Sequence, residues 1–246
     1  KGCVFMKVSS TEVQNNFGKY LKIALEREEV IVTKNGKDMV KIVAMPGVVC
    51  EEAYECRTEG AKWVTYEEFL EITENSDLRY ELIDGELFCL ASPSFFHQYV
   101  VDEIFASFHN WFKGKPCRPV TSPFDITLFK SKENINVVQP DIVVICDTEN
   151  LDENGKYKGV PSLVVEVVSS TNRRHDMIVK MNLYMETGIK EYWLADPESK
   201  LVSIYSFDNK DIKNYKIFEM GNVAESFIFP GLKVNVSEIF SFDINS

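Results

Sequence analysis

The sequence predicts a protein of mixed class, α+β or α/β, with a mixed β-sheet core flanked by helices and a small β-α-β-β module ahead of it. Three observations point there. Near-continuous β-branched runs such as Asp141-Ile142-Val143-Val144-Ile145 and Leu163-Val164-Val165-Glu166-Val167-Val168 alternate with stretches of helical period. Two dipeptides, Asn35-Gly36 and Asp84-Gly85, stand between apolar runs, where a two-residue hairpin turn needs positive φ. Charge is unevenly spread: residues 1–45 hold eight Lys or Arg against five Asp or Glu, and the rest hold 19 against 33. That asymmetry predicts two modules, residues 1–46 and 63–246, with 47–62 as a linker.

The 246 residues are enough for one large domain or two smaller ones. With 45% hydrophobic and 26% charged residues, composition is that of an ordinary globular protein. No apolar run reaches the roughly 20 residues needed to span a bilayer. The opening Lys1-Gly2-Cys3-Val4-Phe5-Met6 has no secretory pattern, so a cytoplasmic protein without membrane partners is expected. Cys3, Cys50, Cys56, Cys89, Cys117 and Cys146 form no C-x-x-C pair, and most lie in apolar runs. Free thiols in a reducing compartment and no zinc site are expected, with a Cys50–Cys56 bridge as the alternative. The net charge of −11 argues against a protein that simply coats nucleic acid.

In the first module, Met6-Lys7-Val8 reads as a strand, and Ser9 through Glu12 fits a capping box. The helix that follows sets Val13, Phe17, Tyr20, Leu21, Ala24 and Leu25 on one face. Strands at 29–33 and 39–43 flank the Asn35-Gly36 turn. About 45 residues bury little core alone, so dimerisation is expected to supply the missing burial.

In the second module, Thr65 is a candidate N-cap with Glu68 three residues on. Runs at 80–83 and 86–90 flank Asp84-Gly85. Ser92-Pro93-Ser94 opens a helix through about Lys113, with Tyr99, Val100, Ile104, Phe105, Phe108 and Phe112 inward. Strands are expected at 124–129, 141–145 and 163–168, and then a helix from Arg173 to Thr187 ending at Gly188. Strands at 191–194 and 201–205 surround an Asp196-Pro197-Glu198-Ser199 turn, with further short strands around 217–218 and 227–229.

The informative oddity is acid within hydrophobic strands. A buried carboxylate without a partner is costly, so such a residue is paired, exposed at a strand edge, or bound to a metal. Glu166 stands between two Val-Val pairs, and Asp141 follows Gln139-Pro140 at the head of another run. If those strands are neighbours, both carboxylates can converge on one hard cation. The competing reading is an exposed edge glutamate and a turn aspartate.

Two resemblances sharpen these readings. Met6 through Leu21, followed by Val30-Ile31-Val32-Thr33-Lys34-Asn35-Gly36-Lys37, resembles the N-terminal domain of Phd/YefM-type antitoxins. The resemblance implies a homodimer that binds operator DNA. A toxin partner would need a neutralising tail, and here the chain continues after Ala44 into another domain. Pro140-Asp141, a gap of 24 residues, and Glu166-Val167-Val168 resemble the PD-(D/E)xK nuclease pattern, with Val168 at the lysine position. Tyr80 to Glu86, His97, Gln139-Pro140-Asp141, Pro161 to Ser169, Lys180, Tyr184, Gly188 and Glu191 to Pro197, in that order, resemble the Uma-two family of restriction-endonuclease-like proteins.

That resemblance implies a restriction-endonuclease-like fold and a metal-dependent endonuclease acting on DNA. Asp141 and Glu166, with the Val167 carbonyl, are then expected to hold Mg²⁺ or Mn²⁺. Lys180 takes the lysine's role from the following helix. Glu81 is a further acidic ligand or a solvated hairpin residue. His97 binds phosphate or relays a proton, unless it is structural. Tyr192 and Trp193 are expected in the core, and Arg173, Arg174 and Lys180 form a small basic patch. The alternatives are a non-catalytic DNA-binding regulator and an antitoxin fused to its own toxin.

Overall fold

The computed structural model describes residues 5–15, 20, 29–34, 36–42, 63–153, 155–169 and 175–242. Cys3, Cys50, Cys56, Arg173, Arg174, Asn35, the 47–62 linker and the helix positions Phe17, Leu21, Ala24 and Leu25 lie outside them. The chain divides into two compact units, Lys1–Tyr54 and Glu55–Ser246.

In the first unit, β1 (Phe5–Ser9) leads into α1 (Ser10–Asn15), and Ser9 Oγ accepts from Glu12 N at 3.1 Å, as the capping pattern requires. β1 pairs parallel with β2 (Glu29–Lys34), which pairs antiparallel with β3 (Lys37–Ile42). Among the described residues, Val8, Val13, Tyr20, Val30 and Val32 are packed together and buried, while Met39 and Val40 on β3 are exposed.

The second unit opens with α2 (Tyr66–Glu74), whose Thr65–Glu68 capping box is complete. A four-stranded sheet follows, in the order β5-β4-β8-β7, formed by β4 (Arg79–Ile83), β5 (Glu86–Leu90), β7 (Ile126–Phe129) and β8 (Ile135–Val138). Asp84 and Gly85 turn the β4–β5 hairpin at φ 48° and 76°. A β-carbon at Gly85 would run into the Trp63 ring, so that position favours glycine both for space and for its positive φ. The main sheet has six strands in the order β13-β12-β11-β10-β9-β6. They are β6 (Arg118–Thr121), β9 (Ile142–Ile145), β10 (Leu163–Val167), β11 (Glu191–Asp196), β12 (Leu201–Asp208) and β13 (Asp211–Phe218).

Both faces of the main sheet are covered. Ile142, Val144, Leu163, Val165, Val167 and Trp193 pack with Val100, Ile104, Phe108 and Phe112 of α3 (Phe95–Phe112). Val143, Val164, Tyr192 and Leu194 pack on the other side, with Leu183 and Tyr184 of α4 (Met181–Thr187) and with Ile126 and Leu128 of the smaller sheet. Tyr192 and Trp193 are fully buried, one on each face.

Four expectations need correction. Residues 227–229 are not a strand: Glu191 Oε2 accepts from Phe227 N and Ile228 N, and Ser226 Oγ from Ile228 N and Phe229 N. Those amides are satisfied by side chains rather than by a ladder, and the short strands are β14 (Val223–Glu225) and β15 (Lys233–Asn235), followed by α5 (Val236–Ile239). Two strands, β6 and β8, were not expected. β6 contains Pro119, which an edge strand tolerates, and β8 contains the fully buried Asn136, whose side chain bonds Asp84 N and Asn134. The segment before α4 is a π-helical turn, His175–Lys180, rather than regular α-helix. Finally, Cys117 and Cys146 are joined as a disulfide, 29 residues apart. The β6–β9 register that pairs Arg118 with Ile145 brings them face to face, which their surroundings in sequence do not reveal.

Candidate active site

The β9–β10 register pairs Val165 with Ile142 and, carried one residue further, sets Asp141 across from Glu166. β10 is an interior strand. Leu163, Val165 and Val167 point to the α3 face, so Glu166 shares the opposite face with Val164, under α4. It is 3% exposed, which rules out the exposed-edge reading. Asp141 Oδ2 accepts from Val167 N at 2.7 Å, and its own carbonyl accepts from Ser122 N at 3.1 Å, so the strand head is held from two sides.

Lys180 reaches into this arrangement from the π-helical turn. Its Nζ lies 3.0 Å from Glu166 Oε1, 2.9 Å from Glu81 Oε1 and 3.9 Å from Asp176 Oδ1, and the residue is 4% exposed. Val168, at the position where the nuclease pattern has lysine, is buried core. Tyr184 OH donates to the same Glu166 Oε1 at 2.7 Å. Asp176, Lys180 and Tyr184 follow one another at intervals of four residues and so line one face of the helical segment.

Glu81 is not a solvated hairpin residue: it is fully buried. On β4, Tyr80 and Leu82 pack against α2, which turns Glu81 and Ile83 the other way, toward the main sheet. Glu81 Oε1 also accepts from Gln139 N at 2.8 Å, and Oε2 lies 3.4 Å from His175 Nε2. One carboxylate thereby grips the lysine and the backbone two residues before Asp141.

His97 is in the first turn of α3, where Ser94 Oγ caps its amide at 3.3 Å. Its Nε2 is 3.2 Å from Asp141 Oδ2, and its buried Nδ1 has no hydrogen-bond partner among the described residues.

The electrostatics follow from one ammonium among several acids. Burial would depress the Lys180 pKa, but Glu166, Glu81 and Asp176 override it and hold the lysine charged. Burial would raise Glu81, yet Lys180, His175 and the Gln139 amide bring it down to about 2. Glu166 goes the other way: burial, reinforced by Asp141, Asp176 and Glu81, outweighs Lys180 and keeps its pKa well above the ordinary range. Asp176 is raised by burial to about 6 against the pull of Lys180 and His175. For His97, the hydrogen bond and charge of Asp141 overcome burial and favour the protonated ring. Among the described residues, the cluster holds four carboxylates, Asp141, Glu166, Glu81 and Asp176, with one lysine and two histidines.

Among the described residues, no group of three or more His, Cys, Asp or Glu side chains is arranged to hold a metal ion by itself. Hydrogen bonds from described residues engage Asp141 Oδ2 and Glu166 Oε1, and leave the second oxygen of each carboxylate for another ligand.

The structure thus brings Asp141, Glu166, Lys180, Glu81 and His97 into one connected group, and adds Tyr184, Asp176 and His175. The spacing of residues 176, 180 and 184 was the available signal for two of these. No described helix is long and apolar enough to cross a membrane.

The solved structure of a putative nuclease belonging to DUF820, from Anabaena variabilis, shares this fold, with a TM-score of 0.59. It is 19% identical, and the match covers 72% of this chain and 98% of that one. A comparison with curated proteins finds none that matches. Residues 6–75 match the Phd_YefM antitoxin family of type II toxin-antitoxin systems. Residues 66–237, well over half of the chain, match the Uma2 family, described as putative restriction endonuclease. The strand pair that opposes Asp141 to Glu166 lies within that match, and the chain belongs to the Uma2 family.

Proposed function

We propose that the second unit is a Mg²⁺- or Mn²⁺-dependent endonuclease that hydrolyses phosphodiester bonds, with DNA as its substrate. The observation that carries this reading is that Asp141, at the head of β9, accepts from Val167 N at 2.7 Å beside Glu166 on the adjacent β10, with Lys180 Nζ 3.0 Å from Glu166 although it comes from a different element.

The donor chemistry suits a hard divalent cation. Asp141, Glu166 and the Val167 carbonyl offer oxygen only, and waters complete such a shell. When bound, the cation lowers the pKa of a coordinated water and offsets charge on the phosphate. The chain's own residues do the rest. Lys180 neutralises part of the acidic cluster and orients the attacking water. Glu81, with both oxygens engaged, positions Lys180 and the Gln139 backbone, and that role fits it better than metal ligation. Tyr184 fixes one oxygen of Glu166. His97, held toward its charged form, binds a phosphate oxygen beside Asp141.

The N-terminal unit serves as a C2 dimerisation and DNA-targeting head. Exposed Met39 and Val40, on a module of only about 45 residues, support dimerisation.

Incubating plasmid and single-stranded DNA with Mg²⁺ or Mn²⁺ tests the reading, with Asp141→Ala and Glu166→Ala alongside. Cleavage that needs metal and falls at least about a hundredfold in both variants is expected. Absence of cleavage, with no metal uptake by calorimetry, would sink the reading in favour of a non-catalytic regulator.

A further inference from the structure

The Cys117–Cys146 disulfide joins β6 to β9 at one end of their pairing, and the candidate active site lies at the other. The register runs from Arg118 opposite Ile145 to Thr121 opposite Ile142, so the cysteines follow at one end and Ser122 and Asp141 at the other. Ser122 N donates to the Asp141 carbonyl at 3.1 Å, and Asp125 Oδ1 accepts from Gln139 Nε2 at 2.8 Å. The chain that leaves β6 thus holds the Gln139–Asp141 corner at two points. β6 itself is four residues long and is the edge of the main sheet, paired on one side only. So short an edge has few ladder bonds, and a covalent tie adds substantially to its hold.

The surroundings of the two cysteines suit exchange with a thiol. Both are half-buried rather than sealed in the core. Lys113-Gly114-Lys115-Pro116-Cys117-Arg118 carries three cations and no acid in a chain of net charge −11, and Arg118 Nη1 donates to the Cys117 carbonyl at 3.0 Å. Cys146 is followed instead by Asp147. A thiolate is therefore better stabilised on Cys117 than on Cys146, and the better-stabilised thiolate is the one that leaves. Cys146 also forms part of the wall of a cleft of about 300 Å³, with Val160, Pro161, Ser162 and Lys190. A small thiol can reach Cys146 through that cleft, and the Lys190 ammonium favours one that carries a carboxylate.

We propose that Cys117 and Cys146 form an exchange site for a small peptide thiol bearing carboxylates, and that reduction there loosens the hold on Asp141. The incoming thiolate attacks Cys146 Sγ, forming a mixed disulfide as the Sγ–Sγ bond breaks, and Cys117 departs as a thiolate that takes a proton from water. A second thiolate attacks the small thiol's sulfur in that mixed disulfide and releases Cys146. Two thiols are thereby oxidised to one small disulfide, and their two electrons reduce the protein disulfide. The exchange stands by itself, whereas its consequence for catalysis rests on the nuclease reading of the Asp141–Glu166 site.

The test uses the full chain, purified under air and then incubated without oxygen in millimolar reduced glutathione. Alkylation of the native protein, followed by peptide mass mapping, should find Cys117 and Cys146 blocked beforehand and labelled afterwards, with glutathione transiently on Cys146. Lys190→Glu should slow that reaction by about threefold or more and leave the rate with uncharged 2-mercaptoethanol unchanged. Hydrogen exchange at the Ser122 amide should quicken by about tenfold on reduction. Cys117→Ser/Cys146→Ser should show the fast exchange without any thiol. Metal-dependent cleavage should fall by about tenfold in the same samples and return on reoxidation with glutathione disulfide. Cysteines 117 and 146 that are labelled before any thiol is added, or still blocked after prolonged incubation, overturn the proposal. So does a Ser122 amide whose exchange ignores reduction, or cleavage that reduction leaves unchanged. A responsive amide in a protein that cuts no substrate would keep the exchange site and remove the nuclease reading instead.

Discussion

Glu166 on β10 and Glu191 on β11 are on adjacent parallel strands, and both are almost fully buried. They are satisfied in opposite ways. Glu191 accepts from Trp193 Nε1 at 2.6 Å on one oxygen and from Phe227 N and Ile228 N, at 2.6 and 3.0 Å, on the other. Every partner is a neutral donor held by the fold, and the carboxylate ties the 226–232 loop to the sheet. Glu166 has Lys180 and Tyr184 on a single oxygen, and three other acids press on it. Burial raises the pKa of both residues. What separates them is the company: one acid is consumed by structure, and the other, among the described residues, has hydrogen bonds on one oxygen only and three further carboxylates beside it. A buried acid in an apolar strand is therefore not a functional signal by itself, and the nature of its partners decides.

The largest effect that would sharpen this contrast is at the lysine. Lys180→Met leaves Glu81 and Glu166 buried without their counter-ion, and a loss of about 3–5 kcal/mol in urea unfolding is expected. A change under 1 kcal/mol would mean that the acids are neutral without it.

Next comes pH. The Asp176 pKa rises from 3.8 to about 6 on folding, so the folded chain holds that proton more tightly than the unfolded one. Its stabilisation is complete below about 3.8 and is lost as pH climbs through 6, by about 3 kcal/mol at most. Asp176→Asn should flatten that decline in unfolding free energy between pH 4 and 6.5. Glu81 contributes the opposite slope at lower pH, since its ionised form is favoured: its stabilisation is present above 4.5 and fades as pH falls toward 2. A wild-type curve that is flat across pH 4–6.5 would show that Asp176 titrates normally.

The smallest effects separate the two glutamates directly. Glu191→Gln replaces an acceptor-only group facing three donors, and about 1–3 kcal/mol of stability should be lost with cleavage per folded molecule unchanged. Tyr184→Phe should cost only about 1 kcal/mol but disturb cleavage, because it removes one of the two hydrogen bonds that fix Glu166 Oε1. Equal cleavage defects in Glu191→Gln and Tyr184→Phe would break the distinction.

Much of the frame was legible in the chain. Thr65 and Glu68 cap a helix through contacts three residues apart, and Asp84-Gly85 turns a hairpin because two adjacent residues must take positive φ. Asp141 and Glu166 stood out because charge inside β-branched runs is anomalous. Phe227-Ile228-Phe229 misled, since strand-like composition does not show that Glu191, 36 residues upstream, takes its amides. Cys117 and Cys146 likewise looked like separate buried thiols until the β6–β9 register faced them.

Sequence by itself therefore determined the local features: caps, tight turns, the period of each element and the presence of unusual acids. Those depend on interactions over a few residues, which backbone sterics and side-chain size settle in place. Tertiary structure alone decided which acids meet. Glu81 comes from a different sheet, Lys180 from a π-helical turn, and Asp141 opposes Glu166 only through an antiparallel register. Such pairings arise from burying whole faces against one another, and a linear chain carries no direct record of them.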